Sequence, residues 1–161
     1  MSRIASTVAW VCVALWLGGM IFLFLAVQTL FAAFPRATSD VALQGAPALF
    51  RAFEKYQIVV AALALIGTFA WYLTRRDRLV MAVFVLLALA AAGAVGSTTL
   101  VTARMERLRM AGEATSSQFR KLHGRSMMIY TSQAALLLGA AVMLPRAAGR
   151  DRRTNPETAP A

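Results

Sequence analysis

Charge is scarce in this 161-residue chain, and the residues that usually do chemistry are scarcer still: 15% of positions are charged, and there are seven acidic residues, one histidine and one cysteine. Each shortage excludes something. A lone Cys12 makes no internal disulfide and belongs to no cysteine-based metal motif. A lone His123 rules out bis-histidine haem ligation within one chain. No carboxylates or thiolates stand near it in sequence, so no metal site is expected. Ser126 has no base and acid beside it, which speaks against a nucleophilic hydrolase, and no catalytic residue is assigned.

What is abundant is apolar. Hydrophobic residues make up 59% of the chain and mean hydropathy is +0.62, against about 45–50% apolar residues in ordinary globular domains. The excess falls in four blocks separated by arginine-rich stretches, each about as long as the ~20 residues that cross a bilayer. The expected fold is therefore all-α: a polytopic membrane protein built as an antiparallel four-helix bundle over residues 1–145, with spans near 4–34, 56–73, 79–101 and 127–144. A basic, disordered tail is expected over 146–161. The blocks carry no Asp, Glu, Lys, Arg or His near mid-depth, whereas pumps and ion-coupled transporters generally need one. Their polar residues, among them Gln28, Thr68, Ser97, Thr98, Thr99 and Gln133, are neutral and expected to be satisfied by backbone or neighbouring helices.

The net charge of +10 would suggest nucleic acid in a soluble protein. Here the basic residues flank apolar blocks, lack stacking aromatics and divide between two membrane faces, so nucleic acid is not an expected partner. Anionic lipid headgroups are, at Arg75, Arg76, Arg78, Arg120, Lys121 and Arg125. The Arg75–Arg78 and Arg146–Arg153 clusters lie beside span ends and favour both termini in the cytoplasm.

Along the chain, the first apolar run is about twice a signal-peptide core and is expected to stay uncleaved. It is also longer than the hydrocarbon layer needs, so the helix is expected to tilt, or its end from Gln28 to Phe34 to project and pack on other protein. Pro35 should stop that helix. Ser39 can cap a short helix through Asp40–Gln44, and Pro47 suits the first turn of another feeding the second span. The recurrence Ala88, Ala92, Gly96, with Gly93 beside it, suggests a small-residue face for close helix packing. The third helix should continue past Val101 to a stop at Gly112, after which Thr115, Ser116 or Ser117 caps the next. The basic amphipathic run Phe119–Tyr130 then places Phe119, Leu122 and Ser126 ahead of the last span, with His123 chemically able to ligate haem or chlorophyll.

The segments LWLGGMIFLF, TLFAAFPR, ALFRAF and VTARMERLR, followed by FRKLHGRS, together resemble the family called domain of unknown function 4149, whose eukaryotic relatives are transmembrane-protein-205-like. The resemblance covers most of the chain except the tail, and Phe-x-x-Leu-His-x-x-Ser is its most specific element. Ala103 and Tyr130 depart from it, standing where the family usually has Pro and Asn. The resemblance implies a four-helix bundle in which the outer loops pack together and bring Pro35 and Phe50 towards His123. It implies no established activity; the link of eukaryotic relatives to metal-drug resistance is its one pointer to transport. A non-enzymatic structural or accessory subunit, packed against lipids or other membrane protein subunits such as those of a bioenergetic or photosynthetic assembly, is the expectation. A small transporter or metal-resistance factor, and a haem or chlorophyll protein, are the alternatives.

Overall fold

The computed structural model describes residues 2–34 and 40–153. These form helices α1 (Ser2–Ala33), α2 (Asp40–Arg75), α3 (Arg78–Gly96), α4 (Ala103–Met110) and α5 (Ser117–Arg153), with a π-helical turn, Ser97–Thr102, joining α3 to α4 without a break. There are thus four long rods, each containing a stretch long and apolar enough to cross a membrane, and no strand among the described residues. Expectations resting on Pro35, Ser39 and residues 154–161 lie outside the described residues.

The side chains sort as they do in a protein whose solvent is lipid. Ile4, Val11, Ile58, Val59, Ile66, Val85, Leu89, Leu138 and Val142 are exposed on the outside of the rods. The buried stripes mix apolar with small and polar residues: Ala9, Val13 and Trp16 on α1, Ala61, Ala64 and Trp71 on α2, Val83, Leu87 and Ala90 on α3, and Leu137, Ala140 and Leu144 on α5. Rod α1 packs against α2 and α5, and α3 packs against the same two.

Local chemistry explains the joints. Between α2 and α3 only Arg76 and Asp77 intervene. Arg76 adopts a left-handed φ of 50°, and the Asp77 side chain accepts from the Leu79 N–H at 2.7 Å to cap α3. After α4, Gly112 takes φ 77°; the Gly112 and Glu113 N–H groups bond the carbonyls of Arg109 and Leu108, a Schellman stop. Of the three candidate caps for α5, Ser116 does the work, its hydroxyl accepting from the Phe119 N–H at 3.1 Å.

Three expectations are corrected. Residues 40–75 form one helix with Pro47 inside it, because the loss is a single backbone bond near the helix start while Ala46 gains burial. Pro145 likewise lies inside α5, whose backbone continues to Arg153; the buried Leu144 and Ala147 on either side hold that turn in the bundle, so residues 146–153, expected to be disordered, are helical. The row Ala88, Ala92 and Gly96 on α3 is not a packing face, although Gly93 beside it does meet α5, where a β-carbon would stand 3.3 Å from Gln133 Cγ. A β-carbon at Gly96 would meet nothing within 4 Å and Ala92 is exposed; the buried stripe is Val80, Val83, Leu87, Ala90 and Ala94. Close approach happens instead between α1 and α2, where a β-carbon would stand 2.7 Å from the Tyr56 ring at Gly19 and 2.9 Å from Val8 at Gly67.

Candidate functional site

Helix α2 keeps its inward face beyond the apolar span, so Phe53, Glu54 and Gln57 follow the same stripe as Val60, Ala61 and Ala64. Glu54 is consequently 5% exposed, Gln57 not at all. The spacing of three residues puts both on one face. Across from them the π-turn presents Ser97 and Thr102, and α5 presents Tyr130 and, one turn deeper, Gln133. The Thr102 hydroxyl donates a short hydrogen bond of 2.5 Å to Glu54 Oε1. The Tyr130 hydroxyl lies against Ser97 and Gln57 and close enough to Glu54 to feel its charge. Gln133 Nε2 donates to the Ala90 carbonyl at 3.1 Å, in a gap kept open by Gly93, where a β-carbon would press on Gln133 Cγ at 3.3 Å.

These six side chains form a polar file running inward along the bundle axis. At its outer end, one turn beyond the Glu54–Thr102 bond, Glu106 accepts from Arg51 at 3.0 Å and from Arg109 at 2.7 Å. These ion pairs are partly exposed and contribute little, ~0–1 kcal/mol each. At its inner end Leu87, Leu137, Val83, Ala140 and Leu144 are all fully buried and close it with an apolar layer. Phe50 and Phe53 wall one side, their ring centroids 5.9 and 6.3 Å from that of Tyr130.

The π-turn has a local cause. Thr98 and Thr99 donate their hydroxyls to the carbonyls of Ala94 and Val95 at 3.1 and 2.8 Å. Side-chain donors competing for those acceptors loosen the backbone ladder, and π-turns recur at functional positions. Thr68, by contrast, bonds the Ala64 carbonyl at 2.7 Å inside an undisturbed helix.

Within the file, Gln57 Oε1 and Nε2, Ser97 Oγ, the Tyr130 hydroxyl and Gln133 Oε1 are buried with no hydrogen-bond partner. Leaving such a group unsatisfied costs ~1–3 kcal/mol, and the nearest partners here are one another, since the Tyr130 hydroxyl lies against Ser97 and Gln57.

Sequence reasoning selected other residues. His123 is exposed on α5, and among the described residues no group of three His, Cys, Asp or Glu side chains could hold a metal. Leu122 is buried, while Phe119 and Ser126 are half-buried; Phe119 receives Arg109 at 5.9 Å from its ring centroid. Phe50 does reach α5, but at Tyr130. Arg78, Arg120, Lys121 and Arg125 are exposed, and Arg76 folds back over the Tyr72 ring at 5.9 Å. The sequence points to Gln133 only as one of several neutral polar residues and to Tyr130 only as a departure from the resembled family, and it gives Glu54 and Gln57 no role. The signal for them was present, since the i, i+3, i+4 stripe of span two extends back through Gln57 and Glu54.

The fold and site define a class: a helical protein with four segments long and apolar enough to cross a membrane, enclosing a polar file. No family model, curated protein or solved structure matches the chain.

Proposed function

We propose that this chain is a non-enzymatic integral membrane protein, an antiparallel four-helix bundle of the domain of unknown function 4149 type, acting as a structural or accessory subunit of a larger membrane protein complex. The observation that carries this is the outer end of α1. Gly19 is level with Phe53 and Tyr56, and Leu30 with Gly45. Residues 22–34 of α1 therefore run beside residues 40–54 of α2, past the level at which Lys55 and Arg51 mark the edge of the lipid. On α2 that zone carries Asp40, Arg51 and Glu54, with an uncharged stretch over 41–50 between them. On α1 it reads FLFLAVQTLFAAF, with Phe22 71% exposed and Phe24, Leu25 and Phe34 exposed as well. At 32 residues, or roughly 48 Å, α1 outruns the ~30 Å hydrocarbon layer. An apolar face held beyond the lipid calls for a protein cover, and an apolar helix of a neighbouring subunit suits the groove between α1 and Leu49 of α2. The setting proposed is a bacterial inner membrane with both termini cytoplasmic, and anionic headgroups against Arg75, Arg76, Arg78, Arg120, Lys121 and Arg125.

A photo-crosslinking residue at Phe22 or Leu25 in native membranes, compared with Leu89, tests it. One discrete heterologous polypeptide captured from the α1 positions and not from Leu89 is expected. Adducts of lipid alone, or of a second copy of the chain, overturn the accessory-subunit proposal.

A small transporter is the second reading, and the polar file is what favours it. The apolar layer beyond Gln133 weighs against it, because the file supplies only half a path. Unchanged solute flux into proteoliposomes after Glu54→Gln removes it. Haem or chlorophyll ligation at His123 gains nothing from the side chain's exposed position, and the visible absorption spectrum of the purified protein decides it.

A further inference from the structure

The apolar trough between α1 and α2 continues inward past Leu49. Phe22, Ala26 and Leu49 line its outer half, and the same three residues line an inner half that reaches Ala14, Gly18 and Tyr56. Along the first rod the trough runs from Ala14 to Phe34, roughly 30 Å at 1.5 Å per residue, the length of about 20 residues of a second helix.

One charge stands beside it. Lys55 is exposed and shares a face with Ala52, a trough residue three positions before it. Its neighbour Tyr56 packs its ring at Gly19, so Lys55 is level with the middle of the trough and not with either end. Among the described residues no carboxylate pairs with Lys55, whereas Arg51, one turn outward, holds Glu106 at 3.0 Å.

An occupant of the trough must therefore read apolar, one charge, apolar. A lipid carries its head at one end of its chains and would leave the other half bare. A second copy offers no carboxylate inside an apolar run: α1 and α3 contain none, α5 has none before Asp151, and α2 has Asp40 at its first residue and Glu54 buried against Thr102. A helix of another chain with a single Asp or Glu in mid-run fits. Covering the trough takes Lys55 out of water, which is costly for an unpaired ammonium; a facing carboxylate removes that cost and fixes the register of the two helices.

We infer that the partner of the α1 face is such a helix, seated along α1 from Ala14 to Phe34 with its carboxylate against the Lys55 ammonium. The inference rests on the accessory-subunit reading and adds to it the partner's chemistry and register.

The full-length protein in its native membranes tests both levels. A photo-crosslinking residue at Leu25 reports the partner's presence. A membrane-permeant carbodiimide, which joins an amine to a carboxylate in contact with it, reports the pair. The wild type is expected to give one heterologous polypeptide by both routes, joined by the second route from Lys55 to an Asp or Glu within an apolar run. Lys55→Arg keeps the charge and removes the amine, so the Leu25 adduct is expected to persist and the carbodiimide adduct to vanish. Lys55→Glu sets like charges against each other and is expected to cut the Leu25 adduct at least about tenfold; lysine in place of the partner's acidic residue is expected to restore it. An unchanged Leu25 adduct in Lys55→Glu, with no carbodiimide adduct at Lys55, would overturn the paired carboxylate and leave the accessory-subunit reading standing. A wild type whose Leu25 captures no polypeptide, or only lipid or a second copy, would overturn both.

Discussion

Thr102→Val is the sharpest probe of how the bundle treats its buried carboxyl. Valine replaces the hydroxyl with a methyl of nearly the same volume, so no cavity opens and the change removes chiefly one hydrogen bond. That bond is the one Glu54 receives from another rod, and Glu54 is 5% exposed, so water is poorly placed to substitute. A hydrogen bond is worth about 0.5–1.5 kcal/mol net, and leaving a buried acceptor unsatisfied costs about 1–3 kcal/mol. The expected cost of Thr102→Val is thus about 1–3 kcal/mol. In a Glu54→Met background the same substitution should cost under about 0.5 kcal/mol, because the acceptor is gone. Reversible unfolding in mixed detergent–SDS micelles, followed by tryptophan fluorescence, measures all four corners of the cycle. Equal costs in the two backgrounds, to within roughly 0.3 kcal/mol, would refute the argument, since Glu54 and Thr102 would then not be coupled.

The glycines provide a paired comparison. Gly67→Ala should lower stability by about 1–3 kcal/mol, because its β-carbon would meet Val8 at 2.9 Å, while Gly96→Ala should be neutral or stabilise by up to about 1 kcal/mol through helix propensity; a reversed order in the unfolding midpoints would contradict the assigned packing faces. Leu137→Ala should cost about 2–5 kcal/mol as a cavity in the apolar layer, and its exposed neighbour Leu138→Ala under about 1 kcal/mol, with similar costs for the two disproving the helix rotation. Arg76→Gly relieves a left-handed φ of 50° and should stabilise the α2–α3 turn by up to about 1 kcal/mol; a destabilisation in the same assay would mean that the Arg76–Tyr72 contact outweighs the backbone term.

Much was legible in the chain because lipid allows so few solutions. Every backbone group at membrane depth must be bonded within its own segment, so apolar runs of this length dictate helices, and the arginines between them mark where the helices emerge. Capping chemistry is similarly local, and Ser116, Asp77 and Gly112 act through groups within three or four residues of themselves. A single cysteine and a single histidine likewise exclude an internal disulfide and bis-histidine ligation within one chain by count alone.

What the chain could not announce depends on rotation and register between rods. Whether Gly96 or Gly67 meets a neighbour turns on a rotation of a few tens of degrees about a helix that is apolar all round, and lipid penalises neither choice. Pro47 reads as a helix start and Pro145 as a helix end because the backbone bond each removes is visible locally, whereas the packing of Ala46, Leu144 and Ala147 that outweighs the loss is not. The polar file is the clearest case. Glu54, Gln57, Ser97, Thr102, Tyr130 and Gln133 come from three rods far apart in sequence, and each is unremarkable on its own helix. Only when α2, the π-turn and α5 lie side by side does the one carboxyl acquire its hydroxyl donor and the unpaired oxygens acquire each other as neighbours.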